Sequence, residues 1–281
     1  MMKVLAVIGS PRARGNTYRL VRMIEHRLRR QADVEFEYLQ LGEADLRPCR
    51  GCGACVERGE DHCPLKDDRA DIEQRLLSAD GVILACPVYA MDMPSVMRVF
   101  MERFSYSMHR PRFFDQKALL VATAGVAGTR ETLGRLAEMS YSGMQIIGRV
   151  GVATPSELAT QAECRAIEAA ADRGAALLRG ALLSEGYPPP TLMRLFIFRM
   201  QQLALPLTAQ EWPADHAYYQ DKGWFGPKCR FYVDAPVNPI KALIARVVQG
   251  LMRGRVLRDV QQRRSPQAKC WWGEQDTNSE R

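Results

Sequence analysis

What the chain lacks narrows it first. No uninterrupted apolar stretch approaches the roughly 20 residues that span a bilayer; the nearest candidate, residues 192–207, is broken by Arg194 and Arg199. A transmembrane protein is therefore not expected. The opening MMKVLAVIGSPR has a short apolar run but neither a basic n-region nor a small-residue cleavage site, so it reads as a first strand rather than an export signal. A cytoplasmic location follows as an expectation, and in a reducing compartment thiols ligate metal or stay free. Walker A and GxGxxG patterns are both missing, which counts against a P-loop NTPase and against a dinucleotide pyrophosphate site. There is no internal repeat and no helix-turn-helix, zinc-finger or RRM pattern. The net charge of +7 is concentrated late in the chain: residues 241–264 hold seven Lys or Arg against one acid, Asp259. The rest is nearly balanced, so no nucleic-acid partner is expected.

Cysteine is not scarce. Of eight, four stand as C-x2-C-x2-C-x7-C at Cys49, Cys52, Cys55 and Cys63, the last followed by Pro64. Thiols at three-residue steps let a short loop wrap a compact object, and Gly51 and Gly53 let its backbone come close. Iron–sulfur clusters use C-x2-C-x2-C runs with a more distant fourth thiolate, whereas structural zinc draws more often on two separated pairs. The spacing favours a 4Fe–4S cluster; zinc and reduced, metal-free thiols stay open. Gly59, Glu60 and Asp61 make the insert before Cys63 polar and able to loop out, and His62 competes with Cys63 for the fourth position. Cys86, Cys164, Cys229 and Cys270 lack metal spacing and read as packing residues or free thiols.

Apolar periodicity organises the chain. Strands are expected at 3–8, 34–41, 81–86, 118–123 and 146–152, and helices at 16–30, 71–77, 95–104, 129–144 and 162–185. Strands alternating with helices imply an α/β fold with a doubly wound parallel sheet, whose ligands bind at the carboxyl edge near the topological switch point. After Gly186 the alternation fails, and Tyr187-Pro188-Pro189-Pro190 suits a stiff connector. The expected domains are 1–186, carrying a cysteine loop at 45–66, and a mostly helical C-terminal extension at 187–281. In that extension Asn238 and Pro239 form a sound helix start.

The first strand ends in GSPRARGNT, residues 9–17, and runs directly into a helix. The first turn of a helix presents unpaired N–H groups and a partial positive charge; Ser10, Asn16 and Thr17 add hydrogen-bonding groups, and Arg12 and Arg14 add charge. A mononucleotide phosphate suits this loop, and an ordinary polar turn with a helix cap is the bland alternative. A second loop, PVYAMDMP at 87–94, follows the third strand. GSPR-x-x-GNT after strand one and PVY-x-x-x-MP-x-x-M-R-x-F-x-x-R after strand three together resemble the flavodoxin-like NAD(P)H-dependent FMN reductase superfamily. With the intervening cysteines, the chain resembles its iron–sulfur flavoprotein branch over roughly residues 3–153.

The resemblance implies a flavodoxin-like five-stranded sheet in the order 2-1-3-4-5. It also implies that Ser10, Arg12, Gly15, Asn16 and Thr17 hold the FMN phosphate, and that Pro87, Val88, Tyr89, Ala90, Met91, Asp92 and Met93 border the flavin ring. A third loop, with Thr123, Ala124, Gly125 and Gly128, would approach the ring's other side. The implied activity passes electrons between NAD(P)H or a ferredoxin and an acceptor by way of FMN and the cluster. A homo-oligomer, dimer or tetramer, and a small-molecule or protein electron partner are implied with it. Two rivals stay open: an FMN-only quinone or flavin reductase with structural cysteines, and a non-enzymatic carrier or redox sensor docking through its tail. No catalytic proton donor is evident. In the tail, Ile240, Leu243, Ile244, Val247, Val248, Leu251 and Met252 follow helical spacing among arginines, which suits packing on the body or a second subunit, or contact with a membrane surface or acidic partner. Trp212, Tyr218, Tyr219, Trp224 and Phe225 read as an anchor for the extension or as a lid.

Overall fold

The computed structural model describes residues 1–154, 159–263 and 265 of the 281-residue chain. Arg264 and Cys270 lie outside the described residues. The chain divides into two compact units, Met1–Pro188 and Pro189–Arg281.

The first unit holds a parallel sheet of β1 (Met2–Ile8), β2 (Val34–Gln40), β3 (Gly81–Pro87), β4 (Lys117–Ala124) and β5 (Gln145–Ala153). Their order is β2-β1-β3-β4-β5, as expected. Its helices are α1 (Asn16–Arg29), α2 (Ala54–Glu57), α3 (Arg69–Leu77), α4 (Ser95–Arg103), α5 (Tyr106–His109), α6 (Thr129–Leu136) and α7 (Gln161–Leu182). Alternate side chains of each central strand point to opposite faces. Val4, Ala6 and Ile8 join Ile83, Ala85, Leu119 and Val121 under α1 and α7. Leu5 and Val7 join Val82, Leu84, Leu120 and Ala122 under α3, α4 and α6. Covering both faces is why β3 reads as a continuous apolar run. The cover also leaves the carboxyl edge of β1, β3 and β4 as the place where loops meet.

The helix expected over 129–144 stops at Leu136, and residues Ala137–Ser142 tighten into a 3-10 helix. The Ser142 side chain donates to the Met139 carbonyl (2.6 Å). The Ser142 carbonyl accepts from the N–H groups of Arg112 and Phe113 (2.9 and 3.1 Å). A side-chain bond back to the helix and a carbonyl turned outward both end regular α-structure.

The second unit contains α8 (Leu192–Ala204), α9 (Pro213–Asp221) and α10 (Pro239–Arg263). The Asn238 side chain accepts from the N–H groups of Ile240 and Lys241 (3.0 and 3.1 Å), the cap expected for α10. Aromatic rings form this unit's own core: Tyr219, Trp224 and Phe231 are buried with Phe198, and Trp224 Nε1 donates to the Tyr232 carbonyl (3.0 Å).

Candidate functional site

Three loops at the carboxyl edge of the sheet enclose a cavity of about 450 Å³. Ser10, Arg12, Gly15, Asn16 and Thr17 line it from the loop after β1; Pro87, Val88 and Tyr89 from the end of β3; and Thr123, Ala124 and Gly125 from the end of β4. The Ser10 hydroxyl accepts from the Arg12 N–H (3.1 Å) and fixes the first loop. The residue at the N-cap of α1 is Gly15, which has no side chain to cap the helix, and no acid stands in the helix's first turn. Its positive end therefore faces the cavity beside Arg12, and Arg19, one turn further on, adds a second cation. Thr17 and Thr123 join the first and third loops through a buried contact of 2.7 Å.

The loop after β3 is a tight two-residue turn. Tyr89 and Asp92 exchange backbone hydrogen bonds (2.8 and 3.0 Å), and Ala90 and Met91 between them take φ of +48° and +64°. Left-handed φ at two non-glycine residues is strained, which marks a turn held by its surroundings. Arg98 on α4 clamps Asp92 (3.0 Å), whose other oxygen accepts from the Met93 N–H (2.8 Å). Gly128, at φ +96°, lies against the turn: a Cβ there would stand 2.7 Å from Val88 Cγ1 and 3.3 Å from Met91 Cα. Ala90, Met91, Asp92, Met93 and Gly128 are not among the residues lining the cavity: Ala90 and Met91 are exposed, and Met93 is in the core.

The four cysteines line a second cavity, of about 230 Å³, bounded also by Arg69, Arg103 and Tyr106. Among the described residues no three His, Cys, Asp or Glu side chains stand close enough to share one metal ion. Gly51 and Gly53 adopt φ of +64° and +72°, so the loop reverses between thiols. The Cys49 sulfur accepts from the Gly51 N–H (3.4 Å), and the Cys63 sulfur from Arg103 Nη2 (3.7 Å). His62 is exposed and does not line this cavity, whereas Cys63 does. Burial pushes the Cys55 thiol up, against the Arg110 cation and with repulsion from Cys49.

Arginines anchor this loop to the core. Asp45 and Arg47 donate backbone N–H groups to Asp68 and Asp67 (2.8 and 3.0 Å), closing the loop's base. Arg103 reaches both oxygens of Asp67, the two side chains being 2% and 0% exposed, and donates to the Arg47 carbonyl (2.9 Å). Arg110 donates to the Cys55 carbonyl (2.9 Å) and to Glu60 (2.6 Å), which Arg112 also holds. Arg112 reaches Glu73 as well (2.8 Å), and Arg69 bonds Glu73 (2.7 Å) and the Tyr106 hydroxyl (2.9 Å). The Arg69, Arg110 and Arg112 guanidiniums lie 5.2–5.7 Å from the centre of the Tyr106 ring. Burial works to raise the Glu60 and Asp67 carboxyls, but Arg112 with Arg110, and Arg103 respectively, hold both below the usual range.

Sequence reasoning missed Arg19 and Thr154 in the first cavity and the arginines around the second. Arg19 was within reach, standing one helical turn after Asn16; Arg14, named instead, is not among the lining residues.

Both cavities suit the groups the sequence suggests. The first offers an uncapped helix terminus and two arginines to an anion, no acid among its lining residues, and a wall of small residues at 124–125 to a flat ring; its volume is within the roughly 300–1,000 Å³ of cofactor clefts. The second puts four thiols, the donor set of an iron–sulfur cluster, on one cavity with N–H donors to two sulfurs.

The family described as NADPH-dependent FMN reductase matches residues 2–158. An iron–sulfur flavoprotein of Methanocaldococcus jannaschii is 38% identical over 102 residues, 36% of this chain and 51% of that protein. One from Archaeoglobus fulgidus is 31% identical over 134 residues, covering 47% of this chain and 60% of its own. One from Methanosarcina thermophila is 28% identical over 152 residues, 52% and 78% respectively. The match to the first two thus spans only about half to three-fifths of their length. Among solved structures, an azoreductase from Bacillus anthracis superposes with a TM-score of 0.51 at 14% identity, over 64% of this chain and all of that one. The likeness is one of fold.

Proposed function

The chain belongs to the NADPH-dependent FMN reductase family, and from that premise we propose that it is an FMN-dependent oxidoreductase of the iron–sulfur flavoprotein type, passing electrons between NAD(P)H or a ferredoxin and an acceptor. The observation that supports the reading is the pairing of two cavities in one unit, one bordered by the start of α1 with Arg12 and Arg19 and one lined by four thiols. When bound, FMN would supply two-electron and the cluster one-electron chemistry, which lets hydride donors communicate with single-electron partners.

The chain's own residues bind and orient. The start of α1, Ser10, Asn16 and Thr17 receive the phosphate, with Arg12 and Arg19 balancing its charge. Val88 and Tyr89 border the ring on one side and Ala124 and Gly125 on the other, and the strained 89–92 turn keeps that slot narrow. Cys49, Cys52, Cys55 and Cys63 are the cluster's ligands, and Arg103 and Arg110 offset thiolate charge. Association of subunits belongs to the same reading.

Protein purified anaerobically, with FMN, iron, acid-labile sulfide and zinc quantified per chain, tests it. About four iron and one FMN per chain support it. FMN without iron, after reconstitution has failed, leaves an FMN-only reductase with structural cysteines, and zinc recasts the loop as a clip.

A further inference from the structure

Five large apolar side chains of α10 stand in solvent: Ile240, Leu243, Ile244, Val247 and Leu251 are 69%, 63%, 42%, 53% and 77% exposed. Their spacing, i, i+3, i+4, i+7 and i+11, draws one line along three turns of the helix. The opposite side of α10 is already used: Ala245 is buried, and the Gln249 side chain donates to the Arg199 carbonyl on α8 (2.6 Å). The exposed line is thus an outer face of the second unit's own helix pair. An ordered apolar stripe, unlike scattered apolar residues, marks a contact surface.

The charge around the stripe selects the partner. Lys241 and Arg246 flank it, and Arg253, Arg255, Arg258 and Arg263 follow it, with Asp259 as the one acid of α10. At its foot a cavity of about 280 Å³ is lined by three guanidinium groups, Arg199, Arg230 and Arg246, next to Leu243, and no acid lines it. Three cations around one hollow beside an apolar ridge match a phosphate attached to hydrocarbon. A second copy of the helix matches poorly: α10 carries six Lys or Arg against one acid, so two copies repel, and an antiparallel pair centred on Val247 sets Arg253 against Lys241. Among the described residues no helix is long and apolar enough to cross a membrane, so the surface acts from one side.

We propose that α10 docks the protein on an anionic bilayer, its apolar stripe lying among the headgroups and Arg199, Arg230 and Arg246 receiving a lipid phosphate. Lipid supplies in one surface the negative charge and the apolar depth that the helix presents. The inference stands apart from the redox reading, since it uses none of the residues at either cavity of the first unit.

Sedimentation of the full-length, flavin-loaded protein with vesicles of phosphatidylcholine alone, or with a third phosphatidylglycerol, tests it. The expected result is binding to the mixed vesicles at least tenfold tighter than to phosphatidylcholine and weakened by salt. Val247→Glu should abolish it, and Arg230→Gln with Arg246→Gln should weaken it by about fivefold per charge. All three side chains lie on the surface, so FMN content and melting temperature should hold and certify the fold. Equal binding to both vesicles, or binding indifferent to Val247→Glu, overturns the proposal. So does inorganic phosphate displacing the protein at concentrations matched in phosphate, which would make the arginine hollow a small-anion site. A dimer lost in Val247→Glu without vesicle binding, or capture by an acidic peptide alone, assigns the stripe to another occupant.

Discussion

Thr17 Oγ1 and Thr123 Oγ1 meet at 2.7 Å, both residues buried, and so the loop after β1 is tied to the loop after β4 beneath the larger cavity. Leaving one buried hydroxyl without its partner costs about 1–3 kcal/mol. Thr17→Val and Thr123→Val should each destabilise the apoprotein by that amount, while the double variant should lose clearly less than the sum. Thr17→Val should also weaken FMN about tenfold, because a charge-assisted hydrogen bond to phosphate disappears. Urea denaturation and FMN titration of the four proteins check both points; strict additivity would show that the two hydroxyls do not act as a pair.

Gly128 sustains the turn from behind. A methyl group there collides with Val88 at 2.7 Å and is placed on a backbone at φ +96°. Gly128→Ala should therefore cost about 1–3 kcal/mol and loosen FMN binding, although Gly128 does not line the cavity. Gly134→Ala on α6 is the control: a Cβ at Gly134 meets nothing within 4 Å, and Gly134 does not line the cavity. Equal behaviour of the two variants would refute the support assigned to Gly128.

The five strands, the strand-to-helix loop at 9–17 and the cysteine spacing were legible because each is written locally, in apolar runs, in a glycine-containing turn and in short intervals, whereas the order of the strands came from the family resemblance. The clamp on the cysteine loop was not legible. Arg103, Arg110 and Arg112 stand 54 to 63 positions from Cys49 in the chain, and an arginine in sequence reads as a solvated residue until folding buries it. The break after Leu136 was equally hidden, since the apolar spacing continues through Met139 and only the partners of Ser142 end the helix.

Arg103 holds three partners at once: Asp67, the Arg47 carbonyl and the Cys63 sulfur. Arg103→Ala leaves the Asp67 side chain without its cation, held only by the backbone N–H groups of Arg47 and Arg69 (3.0 and 3.3 Å), and losing one side of a buried pair costs about 3–5 kcal/mol. Denaturation of the metal-free protein should show that loss, and reconstitution should yield fewer iron atoms per chain. Arg103→Lys should recover part of the stability but little of the iron, because an ammonium cannot span both Asp67 oxygens and a sulfur. Full iron content in Arg103→Ala would exclude a role for this residue in presenting Cys63.

Acid should release the cysteine loop before the sheet. Glu60 and Asp67 have their carboxyls held below the ordinary values of 4.5 and 3.8, against the opposing push of burial, by Arg112 with Arg110 and by Arg103. For a carboxyl lowered in the folded state, the stabilisation is complete above the unfolded value and is lost as pH falls through the folded one. Stability of the metal-free protein should thus be insensitive to these groups near neutrality and fall below about pH 4.5. Limited proteolysis should then cut within 45–66 while the circular dichroism of the sheet persists, because the loop's contacts are ionic and those of β1, β3 and β4 are apolar. Glu60→Gln should start less stable at pH 7 and lose less on acidification, its side chain having no proton to gain. An acid profile parallel to that of the unsubstituted protein would mean that Glu60 carries no linkage and that other carboxyls govern the loop.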